Sequence, residues 1–194
     1  MNIEIRKLTP ELADDYIHFF DVTPHNGSSD ENKCYCVTWR DDDSYEDGPW
    51  FPSPEERRER AFQYVKNGSL RGYLAYCDGK VVGWCNTNEN CRNCIDYLRN
   101  FYPIEEHGVD VKIKPIFCFV IAPEMQRQGI ATQLVERVCK DAAEEGFDFV
   151  EAYVNKDFID TAEDFRGPLA MYEKCGFVGG AECDGKIVVR KALK

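Results

Sequence analysis

Residues 116 to 154 constrain this chain more than any other stretch. An apolar run from Ile116 to Ala122 reads as a strand, Gly129 to Glu145 as a long helix, and Phe147 to Val154 as a further strand. The helix sets Ile130, Leu134, Val135, Val138 and Ala142 along one stripe, with Glu136, Arg137, Lys140, Asp141 and Glu144 outside it, the pattern of a helix laid on a sheet. A central sheet is therefore expected, its middle strands joined by a right-handed helical crossover.

The flanking sequence supplies the rest of the sheet. Residues 2 to 8 alternate as a short strand ended by Thr9-Pro10, and Pro10 opens a helix with Leu12, Tyr16, Phe19 and Phe20 at helical spacing. A second helix starts at Ser53-Pro54, where Ser53 caps and Pro54 takes the first helical position, and runs to about Asn67-Gly68. Asp78-Gly79 between Leu70–Cys77 and Lys80–Asn86 is a two-residue hairpin signal. Cys-Asp-Gly-Lys recurs at 183 to 186, so a second hairpin closes the chain. Residues 34 to 39 read as a short extended piece, 87 to 111 as a variable stretch, and Pro168 to Lys174 as a short helix. This order predicts an α+β (mixed α/β) fold: a central mixed sheet of about seven strands flanked by helices. The 194 residues fit a single domain spanning residues 1–194.

Composition removes several function classes. With 43% hydrophobic residues and 12 Phe, 10 Tyr and 3 Trp, the chain can build a core. A net charge of −11 is the wrong sign for a phosphate-neutralising nucleic-acid partner. No apolar run approaches the roughly 20 residues that span a bilayer, and Met1 to Arg6 lacks the pattern of a signal peptide. A cytoplasmic protein without a membrane partner is expected, with its ten cysteines reduced. Cys77, Cys85, Cys118, Cys139, Cys175 and Cys183 read as small core residues. Cys34-x-Cys36 and Cys91-x-x-Cys94 form a loose four-thiol set, but their 55-residue separation and the tight first pair argue against zinc, and no metal is expected.

The densest chemical signal is the junction Ile121-Ala122-Pro123-Glu124-Met125-Gln126-Arg127-Gln128-Gly129-Ile130-Ala131-Thr132. A strand stops at a proline, and a turn with small residues at two points opens a helix. The first N–H groups of a helix have no intrahelical partner and its dipole favours negative charge, so Gly129 and Ala131 would let a phosphate approach. No Gly-Lys-Ser/Thr follows, and the Gly-x-Gly-x-x-Gly dinucleotide pattern is missing. An ordinary strand-to-helix turn is the competing reading.

Gln126-Arg127-Gln128-Gly129-Ile130-Ala131 resembles the Arg/Gln-x-x-Gly-x-Gly/Ala signature of the GNAT N-acetyltransferases, with Pro123 three residues before it. Ala170-Met171-Tyr172-Glu173-Lys174-Cys175-Gly176-Phe177 resembles that family's second motif, Leu-Tyr-Glu-Lys-Leu-Gly-Phe, and the element order matches its fold. The resemblance implies acetyl transfer from acetyl-CoA to a primary amine by direct attack, with no metal required. It implies that Gln126, Arg127, Gln128, Gly129, Ile130, Ala131 and Thr132 cradle the pyrophosphate. The backbone of Phe119, Val120 and Ile121 would pair with the pantetheine arm as an added strand. It gives Tyr172 the role of general acid toward the departing thiolate; without the motif, a core tyrosine is the better reading. Where many members carry an Asn and an Ala on the second-motif helix, this chain has Phe165 and Pro168, and Asn155 is the candidate substitute.

No carboxylate occupies the family's usual general-base strand here. Glu151, between Val150 and Ala152, is a candidate base, or equally an ion-pair partner for Lys or Arg. His18, His25 and His107 sit in no motif. Trp39, Trp50, Trp84, Tyr35 and Tyr45 are candidates to line an acceptor pocket, although Trp84 on a strand is more often core. Asp41, Asp42, Asp43, Glu46 and Asp47 favour a cationic small-molecule or peptide amine: a polyamine, an aminoglycoside-like amine, or a peptide N-terminus or lysine. A homodimer is compatible with the sequence. A non-catalytic CoA-binding sensor or regulator and a zinc-stapled interaction domain are the competing classes.

Overall fold

The computed structural model describes residues 2–24, 33–40, 53–160 and 164–194. Its elements in chain order are β1 (Ile3–Lys7), a 3-10 turn (Pro10–Leu12), α1 (Ala13–Val22), α2 (Pro54–Asn67), β2 (Gly72–Cys77), β3 (Lys80–Asn86), α3 (Arg92–Leu98), β4 (Ile113–Ile116) and β5 (Cys118–Ile121). There follow a second 3-10 turn (Pro123–Met125), α4 (Ile130–Glu144), β6 (Phe149–Asn155), α5 (Leu169–Lys174), β7 (Val178–Cys183) and β8 (Lys186–Ala192). The fold is mixed α+β. Among the described residues, eight strands form two four-stranded sheets, ordered β1-β2-β3-β5 and β4-β6-β8-β7, where a single sheet of about seven strands was expected.

The division falls inside one continuous apolar segment. β4 runs parallel to β6, from Ile113 opposite Phe149 to Ile116 opposite Ala152. β5 runs antiparallel to β3, from Cys118 opposite Asn86 to Ile121 opposite Gly83. Between them, Phe117 N–H donates to Asn86 C=O at 3.0 Å although Asn86 is already paired with Cys118. The extra residue is a bulge, which bends the segment and ends its pairing with β6. Beyond Phe117 the strands β5 and β6 part, and one edge of β5 faces the gap.

Two cores flank the sheets. On one face α4 buries Ile130, Leu134, Val135, Val138, Cys139 and Ala142, as its apolar stripe requires. The other face is aromatic: Tyr16 meets Trp84 edge-on with centroids 4.9 Å apart, and Trp39 stacks on Phe117 at 5.1 Å. Such pairs add roughly 0.5–1.5 kcal/mol each beyond area burial. Ser53 Oγ accepts the Glu56 N–H at 3.1 Å and caps α2. Asp78-Gly79 and Asp184-Gly185 both take positive φ, as two-residue hairpin turns demand.

Four local expectations change. Residues 34 to 39 are turn rather than extended: Tyr35 and Cys36 have φ of 46° and 53°, and Tyr16 Oη donates to Tyr35 C=O at 2.7 Å. The stretch 87 to 111 contains α3. Cys91 and Cys94 at its start form a disulfide, not the reduced thiols expected. Cys183 is exposed rather than core. Cys36 Sγ approaches Cys118 Sγ to 2.9 Å, and among the described residues no group of three or more side chains is placed to hold a metal ion. No described helix is long and apolar enough to cross a membrane.

Candidate active site

The turn between β5 and α4 reverses at two left-handed residues, Arg127 with φ 59° and Gly129 with φ 80°. Gln126 Nε2 donates to Ile121 C=O at 3.3 Å and Gln128 Nε2 to Glu124 C=O at 2.9 Å, which ties the turn to the strand end. Only open space lies within 4 Å of where a Gly129 side chain would start. The first intrahelical bond runs from Gln133 N–H to Gly129 C=O at 3.0 Å. The N–H groups of Ile130, Ala131 and Thr132 therefore lack intrahelical acceptors at the positive end of a 15-residue helix, a setting that favours an anion.

A cavity of about 790 Å³ starts at this turn and follows β5. It brings together nine of the residues expected at the site: Phe119, Val120, Ile121, Gln126, Arg127, Gly129, Ile130, Ala131 and Thr132. Gln128 is spent on the Glu124 carbonyl and is not on the wall. The opposite wall runs from Phe158 and Ile159 through Asp164 and Phe165 to Met171, and most of it belongs to the stretch Asn155 to Arg166, whose length in the sequence exceeds a minimal loop and suggests a cover for the cofactor. There Phe119 N–H donates to Phe165 C=O at 2.7 Å, so the loop beside α5 sits where a neighbouring strand would lie. Asn155 is behind the wall. Its Nδ2 donates to Asp164 Oδ1, its Oδ1 accepts from Lys186 Nζ at 2.5 Å, and Asp164 Oδ2 accepts the Ile159 N–H at 2.6 Å. Asn155 thus fastens the loop that closes the cavity.

The two candidate catalytic side chains are not on this wall. Tyr172 is fully buried against Phe177 and Phe119, and its hydroxyl donates to Arg166 C=O at 2.8 Å. Burial pushes its pKa well above the ordinary phenol value, so its proton is tightly held. Glu151 borders a separate cavity of about 670 Å³ beside the loop at 104–112. Its Oε2 accepts from Arg190 Nη2 at 2.5 Å and Nε at 2.9 Å, and its Oε1 from Tyr153 Oη at 2.8 Å. Of the two readings of Glu151, the structure displays the ion pair with Arg190, and the carboxylate does not line the cavity beside β5. His107 Nε2 lies 2.8 Å from Arg190 Nη2 in the same cluster.

The sequence profile of the acetyltransferase (GNAT) family matches residues 32–177. The chain belongs to the GNAT family. Solved structures share this fold at low identity. The PaiA N-acetyltransferase of Thermoplasma acidophilum, in complex with coenzyme A, is 16% identical with a TM-score of 0.55 and 99% of both chains covered. The ribosomal-protein-S5-alanine acetyltransferase of Vibrio fischeri is 14% identical with a TM-score of 0.57, over 100% of this chain and 94% of its own. The ribosomal-protein-S18-alanine N-acetyltransferase of Escherichia coli is 15% identical with a TM-score of 0.54, over 100% and 95%. No curated protein matches in sequence.

On the aromatic side of the GNAT sheet, Trp39 is buried beside Phe117, whereas Trp84 is a fully buried core residue and Tyr35 donates its hydroxyl to Asp21 at 2.8 Å. Trp50, Tyr45, His25, Asp41, Asp42, Asp43, Glu46 and Asp47 lie outside the described residues. Sequence reasoning missed which side chains of the stretch after β6 reach the wall, Phe158, Ile159, Asp164 and Phe165; the length of that stretch was the advance signal.

Proposed function

We propose that this GNAT protein binds acetyl-CoA along the cavity beside β5 and acetylates a primary amine of a small-molecule or peptide acceptor. The supporting observation is one arrangement: an open left-handed turn at Gly129 and three helix N–H groups without intrahelical acceptors at one end of a cavity, with the outer edge of β5, which pairs with no further described strand, along its side. The residues fit the cosubstrate. Gly129 to Thr132 suit a diphosphate, with Arg127 beside them, and Phe119 to Ile121 suit an extended amide-bearing arm. Acetyl-CoA, when bound, supplies an acetyl thioester already activated toward an amine.

The chain's own contribution is binding, orientation and exclusion of water. The Ile130, Ala131 and Thr132 N–H groups hold negative charge without reorganisation. Phe158, Phe165 and Met171 cover the cavity with apolar surface. The Phe119 N–H becomes available when Phe165 C=O leaves it. Tyr172 can serve as an acid only if its hydroxyl turns from the Arg166 carbonyl. No cysteine nucleophile is needed, and burial pushes the Cys85 and Cys118 thiols well above their ordinary pKa, which keeps them inert. The chain charge of −11 favours a cationic acceptor.

The tethered Tyr172 hydroxyl favours a second reading, a CoA-binding sensor without turnover. Tyr172→Phe separates the two, with acetyl-CoA affinity followed by calorimetry and CoA thiol release followed over a panel of amines. General-acid work predicts unchanged affinity and a rate loss of roughly 100-fold or more. An unchanged rate makes Tyr172 a core residue only. Acetyl-CoA binding with no amine turned over by the wild type supports the sensor.

A further inference from the structure

The guanidinium of Arg166 is enclosed by three rings. Its Cζ lies 4.3 Å from the centroid of Phe165, 5.3 Å from Tyr102 and 5.5 Å from Trp39. Trp39 and Tyr102 are themselves buried and braced from behind, Trp39 by Phe117 at 5.1 Å and Tyr102 by Tyr153 at 5.8 Å. The Arg166 Nε is buried with no hydrogen-bond partner among the described residues. A buried donor of this kind is normally satisfied, so the cage suits the charge of Arg166 but leaves one of its donors, the Nε, unmet.

The cage and the acetyl-CoA cavity share one turn. Phe165 and Gly167 line the cavity while Arg166 between them enters the cage. Gly167 has φ +82°, and a side chain there would begin 2.8 Å from Met171 Cε, so the turn needs glycine. The Phe165 carbonyl holds Phe119 N–H and the Arg166 carbonyl holds the Tyr172 hydroxyl. Occupancy of the cage by Arg166 therefore coincides with both groups being tied.

We propose that this aromatic cage is the cation site for the acceptor, and that Arg166 occupies it as an internal stand-in which the acceptor displaces. This rests on the acetyl-transfer reading above. An amine must be neutral to attack a thioester, whereas rings of this kind attract a group that stays charged. The acceptor thus carries a second cation, a guanidinium or ammonium, besides the amine that is acetylated. Its entry turns Arg166 out and carries the Phe165 carbonyl away from β5, so acceptor binding frees the Phe119 N–H.

Agmatine, a primary amine with a guanidinium at its other end, is the probe, and hexan-1-ol is an uncharged counterpart of similar length. Calorimetry on the full chain compares wild type with Arg166→Ala and Arg166→Gln, the latter guarding against misfolding of the former. Agmatine is expected to bind the variants about 10-fold tighter or more than wild type, because an internal competitor is gone, while hexan-1-ol stays weak throughout. Adding Trp39→Leu or Tyr102→Leu to Arg166→Gln should abolish the gain. Equal agmatine affinity in wild type and both variants, or hexan-1-ol binding as well as agmatine, overturns the cage. Acetyl-CoA titrated into the same samples keeps the two ideas apart. Failure to bind acetyl-CoA refutes the acetyl-transfer reading, and binding it with agmatine unmoved refutes the cage alone.

Discussion

Replacing Gly129 separates two effects that the turn combines, backbone strain and charge. Its φ of 80° is left-handed, so any side chain costs roughly 1–2 kcal/mol there, and the open space around it adds no clash. Gly129→Gln and Gly129→Glu should share that strain. They differ in a carboxylate at the positive end of α4, which returns about 0.3–1 kcal/mol to the folded protein. The same carboxylate repels a diphosphate. At a separation near 6 Å and effective dielectrics of about 20 to 80, each pair of unit charges costs about 0.7–2.8 kcal/mol. Acetyl-CoA affinity should therefore fall roughly 3- to 100-fold more in Gly129→Glu than in Gly129→Gln. Urea denaturation reads the stability and calorimetry the affinity. The expected signature is opposed: the Glu variant is the more stable of the two and the poorer binder. Equal acetyl-CoA affinities in the two folded variants would refute the assignment of this turn to the diphosphate.

Two further predictions concern charges away from the cavity. Glu151→Ala leaves Arg190 half-buried without its main partner and should cost about 3 kcal/mol in urea denaturation, since Glu151 is 2% exposed and Arg190 22%. Acetyl-CoA affinity should not move, and a loss comparable to that of Gly129→Glu would return Glu151 to the site. Glu89 accepts from the buried Lys114 Nζ at 2.9 Å, and Glu145 lies 3.5 Å from the same nitrogen. Burial raises the Glu89 carboxyl, but the charge and hydrogen bond of Lys114 outweigh it and hold the pKa below the usual carboxylate value. A carboxyl lowered by folding stabilises fully above its unfolded pKa, and that stability is lost as pH falls through the folded one. Glu89→Gln should therefore lower stability at pH 7 by about 1–3 kcal/mol, less than for a sole partner because Glu145 remains. It should also flatten the decline below about pH 4.5, where the unfolded carboxyl begins to protonate; an unchanged acid limb would count against the pair.

What could be read in the sequence is what local rules dictate. Ser53-Pro54 must begin a helix, Asp78-Gly79 must turn a hairpin, and the stripe from Ile130 to Ala142 must lie on a sheet; each does. The cavity-lining residues of the β5–α4 turn were legible for the same reason, because their property is a backbone one. What escaped depends on distant partners. Tyr35 to Trp39 are strand-forming residue types, yet the Tyr16 hydroxyl and Cys118 hold them as a turn. The apolar run across Phe117 gives no hint of a bulge, since both of its sides pair with buried strands. Glu151 looked anomalous only because Arg190, on β8 opposite it, is 39 residues away. Arg166 could not be matched to Trp39 and Tyr102 at all, as neither spacing nor charge connects them.

The bulge at Phe117 also bears on how this chain avoids its own neighbours. A strand whose edge lacks a partner is a template on which any other extended segment can add itself, and proteins seldom leave one uncovered. β5 carries such an edge inside the molecule, and the bend that creates it cannot be removed without closing the cleft. The Phe165 carbonyl on Phe119 N–H withdraws one rung of that template. The segment beside α5 thus keeps the edge of β5 from recruiting a strand of another chain, and loosening it should promote self-association.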